Sequence, residues 1–294
     1  MVTKFKSNIL KGSESQDNIG NKDWWETNPM TYDWEKELGE IRYTNDYFES
    51  VDEIFGEGHS LINNPNWPNG KILENFIPYN QFEGNDVLEI GCGAGLVASD
   101  IAKSGANLTA IDLTSQAIEI TKSRFQMENL DGSIMQMDAE NLSFDDSSFD
   151  FVVSWGVIHH SGNMEKIISE IHRVLRPGGK AYIMVYNKNS IRYHIYCRFW
   201  LGIIKIKFIK MSLNEIVGSV TDGYIARHLE KNEFMELADA FNKVHITFSD
   251  EKTTILKYLF GIGKPFKYFY SLTKPIEKWL AKKWGWYLEA VLEK

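Results

Sequence analysis

VLEIGCGAGL, residues 87–96, is a short apolar run that breaks into three glycines at alternate positions, with one carboxylate, Glu89, set just ahead of them. The run reads as a buried strand, and Gly91, Gly93 and Gly95 as a tight turn leading into a helix. Backbone N–H groups at such a turn ordinarily face an anion. An acid at that place therefore calls for a different kind of ligand.

Outward from this turn the pattern is regular. Strands are expected over VLEI, NLTAID, SIMQMDA, FDFVVSWGV and KAYIMVYN, with helices over LVASDIAKSG, SQAIEITKSRFQMEN and MEKIISEIHRVL, and a turn at PGG. Two more helices are expected up to about residue 241, then strands at VHITFS and YLEAVLEK. Short β-rich runs alternating with amphipathic helices predict a doubly wound α/β domain built on a parallel sheet. Ligands of such sheets bind beyond the carboxyl ends of the strands, where strand order reverses.

The glycine spacing does not fit the dinucleotide fingerprint, because that pattern needs a glycine where this chain has Leu96. In a partly desolvated cleft, Glu89 would repel a pyrophosphate by about a kcal/mol or more. An ammonium or sulfonium centre would instead be attracted, and S-adenosylmethionine carries both and no phosphate. Asp112 closes the second strand, where a ribose is expected, and Asp138 follows the third, where a base edge could be read.

At these residues the chain resembles the class I S-adenosylmethionine-dependent methyltransferases, in particular the small-molecule type related to the ubiquinone-synthesis methyltransferases. The resemblance rests on VLEIGCGAG, AIDLT, MDAENLSFDDSSFDFVVSWGVIHH and EIHRVLRPGGKAYIMVYNKNS, between residues 85 and 190. It implies a Rossmann-like sheet, seven-stranded and mostly parallel, with an antiparallel last strand and helical cover segments. It also implies S-adenosylmethionine as cofactor. Glu89, Gly91, Cys92, Gly93 and Gly95 would then border the cofactor's methionine and ribose. Asp112 and Leu113 would serve the ribose, Asp138 and Ala139 the adenine, and Ser154 and Trp155 the wall beside the reacting centre.

A hydroxyl or amine acceptor must lose a proton. VIHH supplies two imidazoles, His159 and His160, just past a strand end that faces the cofactor. General base, hydrogen-bonding contact to the acceptor and structural packing are the roles open to them, with His160 favoured as the residue leading into the SGN turn. The remaining histidines show no metal spacing.

Residues 1–22 are polar and expected to be mobile, residues 23–80 to form a helical, aromatic lid, and residues 81–294 the catalytic domain with cover insertions at 190–230 and 252–284. In the lid, WWETNPMTYDW offers Trp25, Asn28, Met30 and Tyr32 as candidates, Tyr32 through its hydroxyl. NPMTY is only weakly similar to the motif of amino-methylating nucleic-acid enzymes and lies ahead of the cofactor turn, where that motif does not belong.

The net charge of −8 is uneven. Residues 191–214 carry Arg192, Arg198, Lys205, Lys207 and Lys210 and no acid, and residues 252–284 hold eight lysines against Glu277. Both segments interleave these cations with aromatics. They suit either a cover over the sheet or a membrane surface that Lys snorkels above. An acidic pI near 5.5 and no recognisable RNA module argue against nucleic acid.

Two cysteines and no signal-length apolar core or spanning segment point to a reduced, cytoplasmic setting, with a membrane surface as the second expected location. The expected activity is methyl transfer from S-adenosylmethionine to a small apolar or lipid-associated acceptor, with an oxygen acceptor favoured. A non-catalytic cofactor-binding protein, and transfer of another group from the same cofactor, are the alternatives.

Overall fold

The computed structural model describes residues 14–30, 43–63, 70–250 and 270–294. Tyr32, and residues 252–269 of the second basic segment, lie outside them. Strands β1 (Asp86–Ile90), β2 (Asn107–Asp112), β3 (Ser133–Gln136), β4 (Phe149–Trp155), β5 (Leu175–Asn187), β6 (His228–Leu229), β7 (Lys243–Ser249) and β8 (Tyr287–Glu293) form a single sheet. Its order is β3-β2-β1-β4-β5-β8-β7, and the two-residue β6 pairs with β5 as an eighth strand beyond the expected seven. Pairing is parallel from β3 to β5, while β8 runs antiparallel to both β5 and β7. Strand order reverses at β1, so the glycine turn leaves the sheet at its switch point.

Helices α1 (Glu14–Thr27), α2 (Asn45–Asn63), α3 (Leu96–Ala102), α4 (Ser115–Glu128), α5 (Met164–Val174), α6 (Leu213–Gly218), α7 (Lys231–Leu237) and α8 (Tyr270–Trp284) surround it. Successive strand residues serve opposite faces, which is why the central strands read as nearly continuous apolar runs. Leu88, Ile111, Val152 and Ile183 join Ile167, Ile168 and Ile171 of α5 in one core. Val87, Ala110 and Val153 join Val97 and Ile101 of α3, Phe125 of α4 and the buried Ile72, Leu73 and Phe82 in the other.

Three expectations change. The stretch expected to be mobile up to residue 22 contains the start of α1, which begins at Glu14. PGG belongs to the run of β5, but as an irregularity: Phe149 faces Leu175 while Phe151 faces Lys180, so the glycines bulge out between. The first basic segment is neither an ordinary helix nor a loop. Arg192–Ile204 winds as a π-type helix, and its end is closed by Lys205 N–H donating to the Trp200 carbonyl at 2.8 Å.

Arg124 anchors the N-terminal part to this frame. It is wholly buried on α4, donates to both Asp52 oxygens on α2 at 2.6 and 2.9 Å, and donates from Nε to the Ala94 carbonyl in the glycine turn at 3.0 Å. Its guanidinium also lies over the Phe48 ring at 4.5 Å. Arg124→Ala should lower unfolding free energy in a denaturant titration by about 3 kcal/mol, the low end for breaking a buried pair, because Asp52 retains contact with water. A loss under about 0.5 kcal/mol, the scale of an ordinary surface change, would show that α2 is held by its apolar face alone.

Candidate active site

The turn after β1 is held from both sides. Gly91 and Cys92 N–H donate to the Ile111 carbonyl at 2.7 and 3.1 Å, which pins the turn to the end of β2. Gly91 has φ +82°, and a Cβ there would lie 2.2 Å from Val157 Cγ2, so only glycine admits the loop that follows β4. Gly95, at φ +78°, begins α3.

Asp112 completes the clamp. One carboxylate oxygen accepts from Gly93 N–H at 3.1 Å, and the other accepts from Thr114 N–H at 3.0 Å and its hydroxyl at 2.8 Å. Burial pushes this carboxyl up from its ordinary value, and the same hydrogen bonds oppose the shift. Both oxygens keep acceptor capacity for a hydroxyl pair.

Glu89 is 4% exposed, faces the cavity, and has an Oε2 with no hydrogen-bond partner. Burial first, then repulsion from Asp112 and Asp100, raises its carboxyl well above the usual range. An orphaned acceptor of this kind is costly unless a donor, and best a cationic one, arrives with a ligand.

These residues line a cavity of about 240 Å³ that runs from the Asp138 loop, past the turn, to the ends of β4, β5 and β8. Of the expected cofactor set, Glu89, Gly91, Cys92, Gly93, Asp112, Leu113, Asp138, Ala139 and Trp155 border it. Gly95 stands behind the turn, against Thr121. Ser154 is displaced from its expected place: period-two alternation turns it away from the cavity, and its hydroxyl donates to the Ile90 carbonyl at 3.3 Å.

The two histidines separate. His160 borders the cavity, its Nδ1 facing the Ile225 carbonyl, which leaves Nε2 as the lone-pair nitrogen. Burial lowers its pKa to about 4. His159 is absent from the lining; it is wholly buried against Tyr186 with ring centroids 4.2 Å apart, and neither nitrogen has a partner. Burial, followed by His160 and His228, holds it well below the ordinary value, so it is a neutral packing residue.

α1 closes the near side. Trp25 and Met30 line the cavity, and Trp25 meets the His160 ring edge-on at 5.0 Å. Asn28 does not reach in; its amide donates to the Trp24 carbonyl at 2.8 Å and finishes its own helix. Sequence reasoning missed two residues that fix α1. Glu26 accepts from Ser115 and Gln116 N–H at 3.1 and 3.2 Å, capping the first turn of α4, where the helix dipole favours an anion. Asn21 donates to the His160 carbonyl. Neither carries a local signal, since both partners lie far away along the chain. Also unanticipated in the lining are Met137, Glu140, Val157, Met184, Tyr186, Asp222 and Tyr287. Among the described residues no cluster of His, Cys, Asp and Glu is arranged to hold a metal ion.

Comparison with known proteins follows the same region. Residues 88–183 match the family model described as a methyltransferase domain. The chain is 29% identical over 111 residues to a ubiquinone biosynthesis O-methyltransferase of Coxiella burnetii, covering 38% of this chain and 47% of that protein. It is 40% identical over 98 residues to the phthiotriol/phenolphthiotriol dimycocerosates methyltransferase of Mycobacterium tuberculosis, covering 33% and 36%. It thus spans less than half the length of either. Among solved structures, a chain from the complex of the Haloferax volcanii Trm112 methyltransferase activator with a methyltransferase superposes with a TM-score of 0.53 at 14% identity, over 90% of this chain and 97% of that one. That likeness shows a shared fold. Residues 88–183 thus carry the sequence of a methyltransferase domain, on a fold shared with methyltransferases.

Proposed function

We propose that the chain transfers the methyl group of S-adenosylmethionine to a hydroxyl of a small, largely apolar acceptor held in this cavity. The observation that carries the reading is Glu89, a buried carboxylate with an unpartnered oxygen facing the cavity beside a glycine turn. It fits the cofactor's ammonium, as Asp112 fits its ribose hydroxyls and the Asp138 loop its adenine. When bound, S-adenosylmethionine supplies a methyl group on a sulfonium centre.

The chain's own contribution is placement, exclusion of water and removal of a proton. Trp25, Trp155, Met184, Tyr186 and Tyr287 make an apolar, aromatic end to the cavity, which supports an apolar acceptor. His160 stays neutral near pH 7, and Nε2 can receive the acceptor's proton while Nδ1 stays bonded to the Ile225 carbonyl. The O-methyltransferase name of one relative agrees with an oxygen nucleophile.

Calorimetry with S-adenosylmethionine tests the cofactor site. A carboxyl raised by burial holds its proton more readily in the free protein than beside a bound cation, so binding should release protons and the heat should vary with buffer. Glu89→Gln should abolish that variation and weaken binding by about 1 to 3 kcal/mol, the value of a hydrogen bond to a charged group. The sign for stability is opposite: a raised carboxyl destabilises the free fold as pH climbs above the unfolded value, so the free Glu89→Gln variant should melt higher than wild type at pH 8. Buffer-independent heat together with unchanged affinity would remove Glu89 from the cofactor site.

His160→Ala should lower single-turnover methyl transfer by about two to four orders of magnitude with cofactor affinity intact. In the wild type the acid limb of the rate should fall near pH 4, the value of the buried imidazole, and the rate should stay level through pH 6.5. A limb at the ordinary histidine pKa of about 6.5 would point to a different, exposed base.

A further inference from the structure

The segment from Arg192 to Lys210 has two faces. Inward, Tyr193 and Cys197 pack with Met184, Trp286 and Tyr287 behind the acceptor end of the cavity. Outward, Phe199, Ile203, Ile204, Ile206, Phe208 and Ile209 are 41% to 77% exposed. They are gathered rather than scattered. Gly202 leaves room for the Phe208 ring, which a Cβ there would approach to 2.3 Å, so the turn after the π-type helix folds back against its end. Ile206 holds φ +57°, a left-handed conformation that β-branched residues avoid, yet its side chain is 60% exposed. Among the described residues, little packing of the side chain compensates that cost.

Interleaved with these apolar side chains are Arg198, Lys205, Lys207 and Lys210, and residues 191–214 contain no acid. Among the described residues none of these four cations forms an ion pair with a carboxylate. The neighbouring α8, which meets this segment through Ile191, Leu280 and Ala281, repeats the arrangement. It exposes Ile276, Trp279 and Trp284 among Lys278, Lys282 and Lys283, and its acid Glu277 is buried.

A protein interface selects against lysine at an apolar centre, and single-stranded nucleic acid calls for stacking rings rather than isoleucines. Aliphatic side chains set among unpaired lysines match an anionic bilayer surface, where the apolar groups enter the acyl boundary and the ammonium groups stay at the headgroups. We propose that residues 199–210 dock the protein on anionic membrane, with α8 alongside. No helix of the described residues is long and apolar enough to cross a membrane, so the contact is peripheral.

The test is cosedimentation of the full chain with phosphatidylcholine vesicles, alone or with about one third phosphatidylglycerol. Wild type should bind the anionic vesicles, bind phosphatidylcholine weakly, and lose binding as salt rises. Replacing Lys205, Lys207 and Lys210 together by Gln should reduce partitioning about 100-fold, from a factor of about five for each basic residue at the surface. Ile206→Ser with Ile209→Ser should also reduce it, and circular dichroism melts should match wild type for both variants. Absence of wild-type binding to anionic vesicles, or equal binding by the variants, overturns the proposal. So does a dimer in light scattering that Ile206→Ser with Ile209→Ser dissolves, since the face would then belong to a second copy. Vesicle binding is read without turnover and cofactor binding by calorimetry, so failure here and failure of the methyl-transfer reading are separate results.

Discussion

The clamp that Asp112 places on the glycine turn is the interaction on which the site depends. One carboxylate joins the end of β2 to Gly93 on one side and to the start of α4 through Thr114 on the other. This fixes the backbone that leaves β1 at the switch point of the sheet. The turn can then pass close to Val157 only because Gly91 has no side chain. Asp112, Glu89 and the loop after β4 are brought around one cavity by these few contacts, with no metal or disulfide among the described residues.

The cost of building such a site is carried by Glu89. Desolvation and the nearness of Asp112 hold its carboxyl well above the ordinary range, a cost that a cationic donor beside it would relieve. His160 shows the same physics with the opposite sign of charge. Burial suppresses its protonated form, so the imidazole keeps its lone pair near neutrality. α1 deepens both effects by covering the cavity, held by the Glu26 carboxylate on the first turn of α4. That helix has little amphipathic pattern of its own, so its position rests on this cap, on Asn21 and on Trp25 rather than on a continuous apolar stripe.

The segment from Arg192 to Lys210 faces two ways. Its inner side chains pack behind Met184 and Tyr287 of the cavity wall, while its outer isoleucines are exposed and, among the described residues, its lysines form no ion pair.

The amino-acid sequence by itself determined the sheet and the glycine-turn side of the cavity. Alternation of β-rich and amphipathic runs sets the parallel order, and the glycine turn with Glu89, Asp112 and Asp138 is legible because each residue sits at a strand end, a position that local pattern locates. Tertiary structure decided the opposite side of the cavity, around His160 and Tyr186. Whether His159 or His160 borders the cavity depends on the loop carrying Gly223 and Ile225, which wraps His160, and on Tyr186, which covers His159. Ser154 turned inward through strand alternation, Glu26 became a cap only when α1 met α4, and the π-type winding of Arg192–Ile204 has no local signature that periodicity reveals. Those outcomes rest on contacts between residues distant in the chain, which no local window of sequence contains.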